Sequence, residues 1–500
     1  MNISKSIARN SSISLISQIL TLILSLINRT LFVKYIGVEL LGVSSTITSL
    51  VATLSLTELG FQTAVVYRLY SPLAHKNYEL CNKILSIFNF IYKIISIVIF
   101  ILLLCFIPLL QFVLKGVELT YQTYIIFFLI GLTSLISYFF AHKRTLLYAD
   151  KKDPLSKMVD TISNLIFTGI KIVIVIYTKS IYWYLILSAI QSIIANGILY
   201  LFCNKLYPWM KVLPIDRCLL KEMFLDVRNI FLSKIAGYIY SSTDNLIISI
   251  FIGTVSVGLY SNYVMIVAAL KILVDSISGQ IAPFIGASYA NDKNTDKNLN
   301  ILNLYTFVKF ILAGLVTIPL FVLIDSFIGF WLGNDFIIPL IKYLIVVDLY
   351  IYFIYGPLSD YVTIAGYFNY SKTISLVSAI CNIILSLIFV NLLGIKGVLI
   401  GTVFSQLITW ILFVVLVFKR MFYAKSREVC LYVLKNLCYL LQIIVLCFVC
   451  TIIHEKLLML PYVCNFLITG CICEVLFIFT TGFLYLKTNE SIFVRRKILK

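Results

Sequence analysis

Apolar runs of about 20 residues or more recur along almost the whole 500-residue chain, and nothing else in the sequence constrains its fold so strongly. In hydrocarbon a backbone can satisfy its polar groups only internally, and a helix needs roughly 20 residues to cross a bilayer core of about 30 Å. Clusters of charged residues, Gly, Pro or Asn divide the runs into spans near 12–34, 41–67, 84–114, 120–142, 157–177, 181–203, 227–252, 256–286, 302–326, 337–364, 373–392, 396–418, 431–453 and 462–486. The pattern predicts an all-α polytopic membrane protein with about fourteen transmembrane helices. With 12% of residues charged, against about 25% in ordinary soluble domains, water cannot be its main solvent.

The first run opens near Ile13 and continues past Phe32. That is too long for a signal-peptide core, and no small-residue cleavage site follows, so it reads as the first span. No phosphate-cradling Walker pattern occurs, which leaves an ionic or external driving force. Most of the cysteines, including Cys447 and Cys450, lie inside apolar runs, where thiols behave as small hydrophobes. There is no zinc-binding helix motif, no nucleophile elbow and no cofactor signature, so neither a cofactor nor enzymatic chemistry is expected.

The net charge of +18 does not imply nucleic acid, because the positive residues mark one membrane face. If both termini are cytoplasmic, 28 of the 40 Lys and Arg residues fall in cytoplasmic segments, only Lys34, Lys115, Lys179, Lys396 and Lys456 fall in outer segments, and the remaining seven lie within spans. The positive-inside rule selects this orientation, and missing or inventing one helix would destroy the alternation.

A shift of 216 residues lays Gly37-Val-Glu-Leu-Leu-Gly42 on Gly253-Thr-Val-Ser-Val-Gly258, and Ala74 on Ala290. Near the same offset, Ile162-Ser-Asn-Leu-Ile166 resembles Ile380-Cys-Asn-Ile-Ile384. Six spans separate the copies, which makes this a parallel repeat. The expected organisation is a six-helix lobe over 1–215, a pseudo-symmetric six-helix lobe over 216–428, and two additional helices with a tail over 429–500.

A charge at mid-span costs roughly 2.5–3.5 kcal/mol and needs a partner or a wet cavity. Lys93, Lys234, Lys309 and Lys342 lie close enough to helix ends to snorkel. Arg29, Lys171 and Lys271 lie deeper and should face the bundle interior, where they are candidates for contacting phosphate. The structural alternative for Arg29 is an interhelical pair with Glu58 or Asp244. Glu58 and Asp275 occupy nearly repeat-equivalent positions. Asp275 follows Lys271 by four residues, so a local ion pair is its simplest reading. Glu58 has no such neighbour and is a candidate for ion coupling. Asp348 and Glu474 read as interhelical hydrogen-bonding groups. His142, Lys143, Arg144, Lys151 and Lys152 form a basic inner loop that topology alone explains, with lipid headgroups as a second candidate partner.

The stretches Asn28-Arg-Thr-Leu-Phe-Val-Lys-Tyr-Ile-Gly37, Leu41-Gly42, Leu56-Thr-Glu-Leu-Gly-Phe-Gln-Thr-Ala64 and Tyr67-Arg-Leu-Tyr-Ser-Pro-Leu-Ala74 resemble Wzx-type polysaccharide flippases of the multidrug/oligosaccharidyl-lipid/polysaccharide (MOP) superfamily. The resemblance implies two pseudo-symmetric six-helix lobes, often with two further C-terminal helices. It also implies export of an undecaprenyl-diphosphate-linked oligosaccharide across the bacterial inner membrane by alternating access. A diphosphate crossing hydrocarbon needs cations along its path, a role Arg29, Lys171 and Lys271 suit. Expected partners are the lipid-linked substrate, membrane lipids, H+ or Na+ as coupling ion, and polysaccharide polymerase machinery. A multidrug exporter of the same superfamily would need acids and aromatics in its cavity instead. A polymerase or ligase would need a large outer loop, whereas every outer connection here is short.

Overall fold

The computed structural model describes residues 3–54, 61–150, 152–223, 243–278, 295–365, 367–459, 461–488 and 490. The chain forms two compact units, Met1–Ser261 and Asn262–Lys500. Among the described residues, twelve helices are long and apolar enough to cross a membrane. The expected spans near 41–67 and 227–252 both include residues outside the described set, Glu58 among them.

The first unit contains α1 (Ile3–Leu31), α2 (Val38–Leu54), α3 (Phe61–Ala74), α4 (Tyr78–Phe106), α5 (Tyr121–Ala149), α6 (Asp153–Thr178) and α7 (Ile181–Leu206). It also holds a helical segment at 243–251 and the first turns of α8 (Thr254–Ser278). Local sequence sets several boundaries. Asn77 caps α4 by accepting from the Leu80 N–H at 3.1 Å, Pro154 occupies the first turn of α6, and α6 stops where Lys179 turns left-handed at φ +49°. α1 packs on α6, α6 on α7, and α5 on both α4 and α7. The buried core includes Ile47, Leu69, Phe88 and Phe127.

The glycine pairs of the repeat have two distinct tasks. Gly37 (φ +106°) and Gly253 (φ +135°) take backbone conformations that L side chains rarely adopt, so each can turn the chain sharply between helices. Gly42 and Gly258 serve close approach. A Cβ on Gly42 would lie 1.8 Å from the Thr254 carbonyl oxygen, and one on Gly258 would lie 2.4 Å from the Val38 carbonyl oxygen. The 216-residue shift exchanges these two contacts, so α2 and the start of α8 cross as a reciprocal pair with no room for a methyl group.

The second unit comprises the rest of α8 followed by α9 (Thr295–Leu332), α10 (Ile341–Ile364), α11 (Phe368–Leu393), α12 (Ile395–Val415), α13 (Ser426–Lys456) and α14 (Tyr462–Leu484). α11 and α12 form a close hairpin turning at Gly394 (φ +61°). α13 and α14 both pack on α9, where the Phe310 and Tyr439 rings stack at 4.1 Å. The Phe477 ring covers Gly314 so closely that a Cβ there would sit 2.1 Å from it. His454 lies 3.0 Å from Ser326 Oγ on α9 and 3.2 Å from Thr469 Oγ1 on α14.

The helices outrun several of the apolar spans. α9 begins at Thr295 rather than near 302, and at 38 residues is about 57 Å long, well over the hydrocarbon thickness. α5 continues to Ala149. Hydropathy marks only the lipid-buried part of a helix, whereas the backbone remains helical beyond it.

Candidate functional site

In the first unit, α6 places Asn164, Thr168 and Lys171 at positions i, i+4 and i+7, hence on one helical face. Asn28 of α1 donates to Thr168 Oγ1 at 2.8 Å. Lys171 Nζ donates to Gln191 Oε1 of α7 at 3.0 Å and lies 5.0 Å from the centre of the Tyr184 ring. Arg29 donates to Ser261 Oγ at 3.1 Å, and its guanidinium is within electrostatic reach of the Tyr184 hydroxyl. Arg29 and Lys171 thus converge on Tyr184, while Lys171 is only 4% exposed. Both cations are held by neutral groups: among the described residues, neither has an acid within ion-pair distance. Asp244 is buried at the start of the 243–251 segment and is not the partner of Arg29. Glu58 lies outside the described residues.

The second unit is arranged differently. Lys271 lies 3.2 Å from Asp348 Oδ2 of α10, and that carboxylate also accepts from Gln406 of α12. Asp275 accepts from Lys309 Nζ of α9 at 3.2 Å and from the Tyr352 hydroxyl of α10 at 2.7 Å. The local Lys271–Asp275 pair expected from their spacing is therefore replaced by two interhelical pairs, because charged partners on neighbouring helices come within reach. Lys309 does not snorkel: it is 3% exposed and bound to Asp275. Lys342 pairs with Asp325 at 3.0 Å. Asp360 is held by the Tyr305 hydroxyl at 2.6 Å and, among the described residues, forms no ion pair.

Lys143 and Arg144 of the basic segment are committed to the protein itself, and Lys151 lies outside the described residues. Lys143 donates to Asn204 and sits 3.1 Å over the Tyr200 ring centre. Arg144 forks onto both oxygens of Asp160 at 2.8 and 2.7 Å while its Nε donates to Asn196 at 2.8 Å. Asp150 accepts from Tyr207 at 2.7 Å, and burial together with this carboxylate pushes the phenol well above its ordinary range. These contacts hold the adjoining ends of α5, α6 and α7 and leave the charges of Lys143 and Arg144 little freedom to hold headgroups.

Arg29, Lys171, Lys271 and Asp275 stand out in the sequence, but the groups that hold them do not. The spacing of Asn164, Thr168 and Lys171 was a usable signal. Tyr184, Gln191 and Ser261 carry no local signal, since only tertiary packing brings them to the cations.

Long apolar helices surrounding interior cations define a multi-pass membrane protein, and its fold is that of solved transporters of the MOP superfamily. It matches the structure titled lipid II flippase MurJ, inward closed conformation, with TM-score 0.69 and 17% identity over 96% of this chain and 99% of that one. An inward-facing multidrug resistance MATE family transporter of the MOP superfamily matches with TM-score 0.61 and 15% identity over 80% and 96% of the two chains. An outward-facing transporter of that description matches with TM-score 0.54 and 16% identity over 81% and 93%. No curated protein sequence matches the chain. The family model described as polysaccharide biosynthesis protein matches residues 7–289, more than half of the sequence, and the chain belongs to that family.

Proposed function

We propose that this protein moves an undecaprenyl-diphosphate-linked oligosaccharide from the inner to the outer leaflet of the bacterial inner membrane, by alternating access, to supply surface polysaccharide synthesis. The observation that carries the reading is the cation pair of the first unit. Among the described residues Arg29 and Lys171 stand between apolar helices with only neutral partners in reach, which supports a counter-charge brought in by the substrate. A diphosphate supplies it, and its oxygens match the planar fork of Arg29. Lys271 is the weaker phosphate candidate because Asp348 already neutralises it.

On this reading the lobes are 1–215 and 216–428, with 429–500 appended, both termini cytoplasmic, and no covalent chemistry performed. Partners are membrane lipids and the polymerase machinery that consumes the product. Coupling to H+ or Na+ falls to Glu58, which has no basic residue one turn away in its own sequence, or to Asp360, which among the described residues forms no ion pair, whereas Asp275 serves as a pairing group. A multidrug exporter would place acids rather than cations in the first unit.

The test is leaflet transfer of a labelled lipid-diphosphate oligosaccharide in proteoliposomes. Arg29→Ala should abolish it and Arg29→Lys should restore only part, because an ammonium lacks the fork. Full transfer by a normally inserted Arg29→Ala protein would remove this residue from the site.

A further inference from the structure

Glu474 stands near the middle of α14 and lines, with its neighbours, an apolar groove of about 380 Å³ between α14 and the kink-prone Pro319 of α9. The other lining residues are apolar or small, with Gly470 and Cys471 one turn below. Among the described residues Glu474 has no hydrogen-bond or ion-pair partner. A carboxyl at mid-bilayer depth is unfavourable unless it meets a polar group, and the described residues offer none at the site. Beside it, Leu467, Cys471, Val475 and Ile478 are all exposed and follow helical spacing, making a lipid-facing stripe on the same side of α14.

We propose that this stripe is the contact surface between two copies of the chain, with the two Glu474 side chains hydrogen-bonded to each other across a two-fold axis. Self-complementarity selects this occupant. A carboxylic acid both donates and accepts, so a two-fold contact centred on Glu474 satisfies both acids without any other polar residue, and the stripe contains none. Gly470 leaves room for a close approach: a Cβ there would meet only Leu323 Cδ1, at 3.9 Å. A lipid chain in the groove would leave the carboxyl unsatisfied. The inference is independent of the transported substrate.

The native Cys471 supplies the test. In full-length protein whose other exposed cysteines are replaced, an oxidant in proteoliposomes should link Cys471 to its counterpart, whereas a single cysteine at 105 should not cross-link. Glu474→Ala should raise the protein density needed for half dimerisation by roughly 5- to 30-fold, the range expected for one interhelical hydrogen-bonded contact. Glu474→Gln, whose amide also pairs with itself, should stay near wild type. Single-molecule photobleaching of the unmodified wild type gives a second measurement that does not depend on the cysteine replacements. Monomers at all densities, or cross-linking unaffected by Glu474→Ala, would overturn the proposal.

Discussion

Replacing Asp275 should damage the second unit far more than replacing the lysine that pairs with it. The two side chains meet at 3.2 Å, but the Lys309 side chain is only 4% exposed and that of Asp275 is 43% exposed. Asp275→Ala strands a buried ammonium, which costs about 3–5 kcal/mol. It also removes the acceptor of the Tyr352 hydroxyl, worth about 1 kcal/mol more. Lys309→Met leaves a carboxylate that is nearly half open and keeps its Tyr352 bond, while the Met stem refills most of the lysine's volume. That variant should lose about 1–2 kcal/mol, a partly exposed pair contributing little in itself. The double variant Asp275→Asn, Lys309→Met should lie within about 1 kcal/mol of the parent, because a buried pair replaced as a unit leaves no stranded charge. The measurement is the alkylation of the fully buried Cys450 and Cys473 during denaturant titration of the purified protein, read by mass spectrometry. Equal losses in the two single variants, or an unaltered Asp275→Ala protein, would refute this account of the pair.

Gly42→Ala and Gly258→Ala should each destabilise the protein by about 1–3 kcal/mol or more, because the added methyl meets backbone that cannot rotate away; an unchanged thermal midpoint would contradict the reciprocal crossing. Cysteines placed in the Leu206–Arg228 and Lys419–Lys435 loops should resist reagents confined to the outer side of the membrane, and labelling of either would overturn the fourteen-span topology. Glu58→Gln and Asp360→Asn should each be compared with wild type for transport under an imposed proton or sodium gradient. Loss of gradient dependence with intact lipid-diphosphate binding identifies the coupling acid, and unchanged dependence in both places coupling elsewhere.

Hydropathy showed the spans, since lipid burial demands long apolar runs, and the repeat was visible because Gly37 and Gly253 hold positive φ angles that L side chains rarely adopt. The deep placement of Arg29 and Lys171 could be read from their distance to the helix ends. What stayed hidden was partner choice. Lys271 and Asp275, four residues apart, resemble a local pair, yet their partners stand 77 and 34 residues away in sequence. Nothing local distinguishes a neighbour on the same helix from one on a helix packed beside it. The same limit concealed Tyr184 and Gln191, whose residue types are unremarkable in their own helices.

The docking of α13 and α14 on α9 bears on how the protein is made. Gly314 leaves the ribosome 163 residues ahead of Phe477, the ring that covers it. At ordinary elongation rates that interval is on the order of 10 to 30 s. For that time the nascent α9 presents Gly314, Phe310 and Ser326 to whatever surrounds it in the membrane. An insertase or a shell of lipid must shelter this face until the final hairpin arrives. A transcript cut short before α13 would yield a polypeptide that is inserted but unfinished, a natural substrate for membrane proteases.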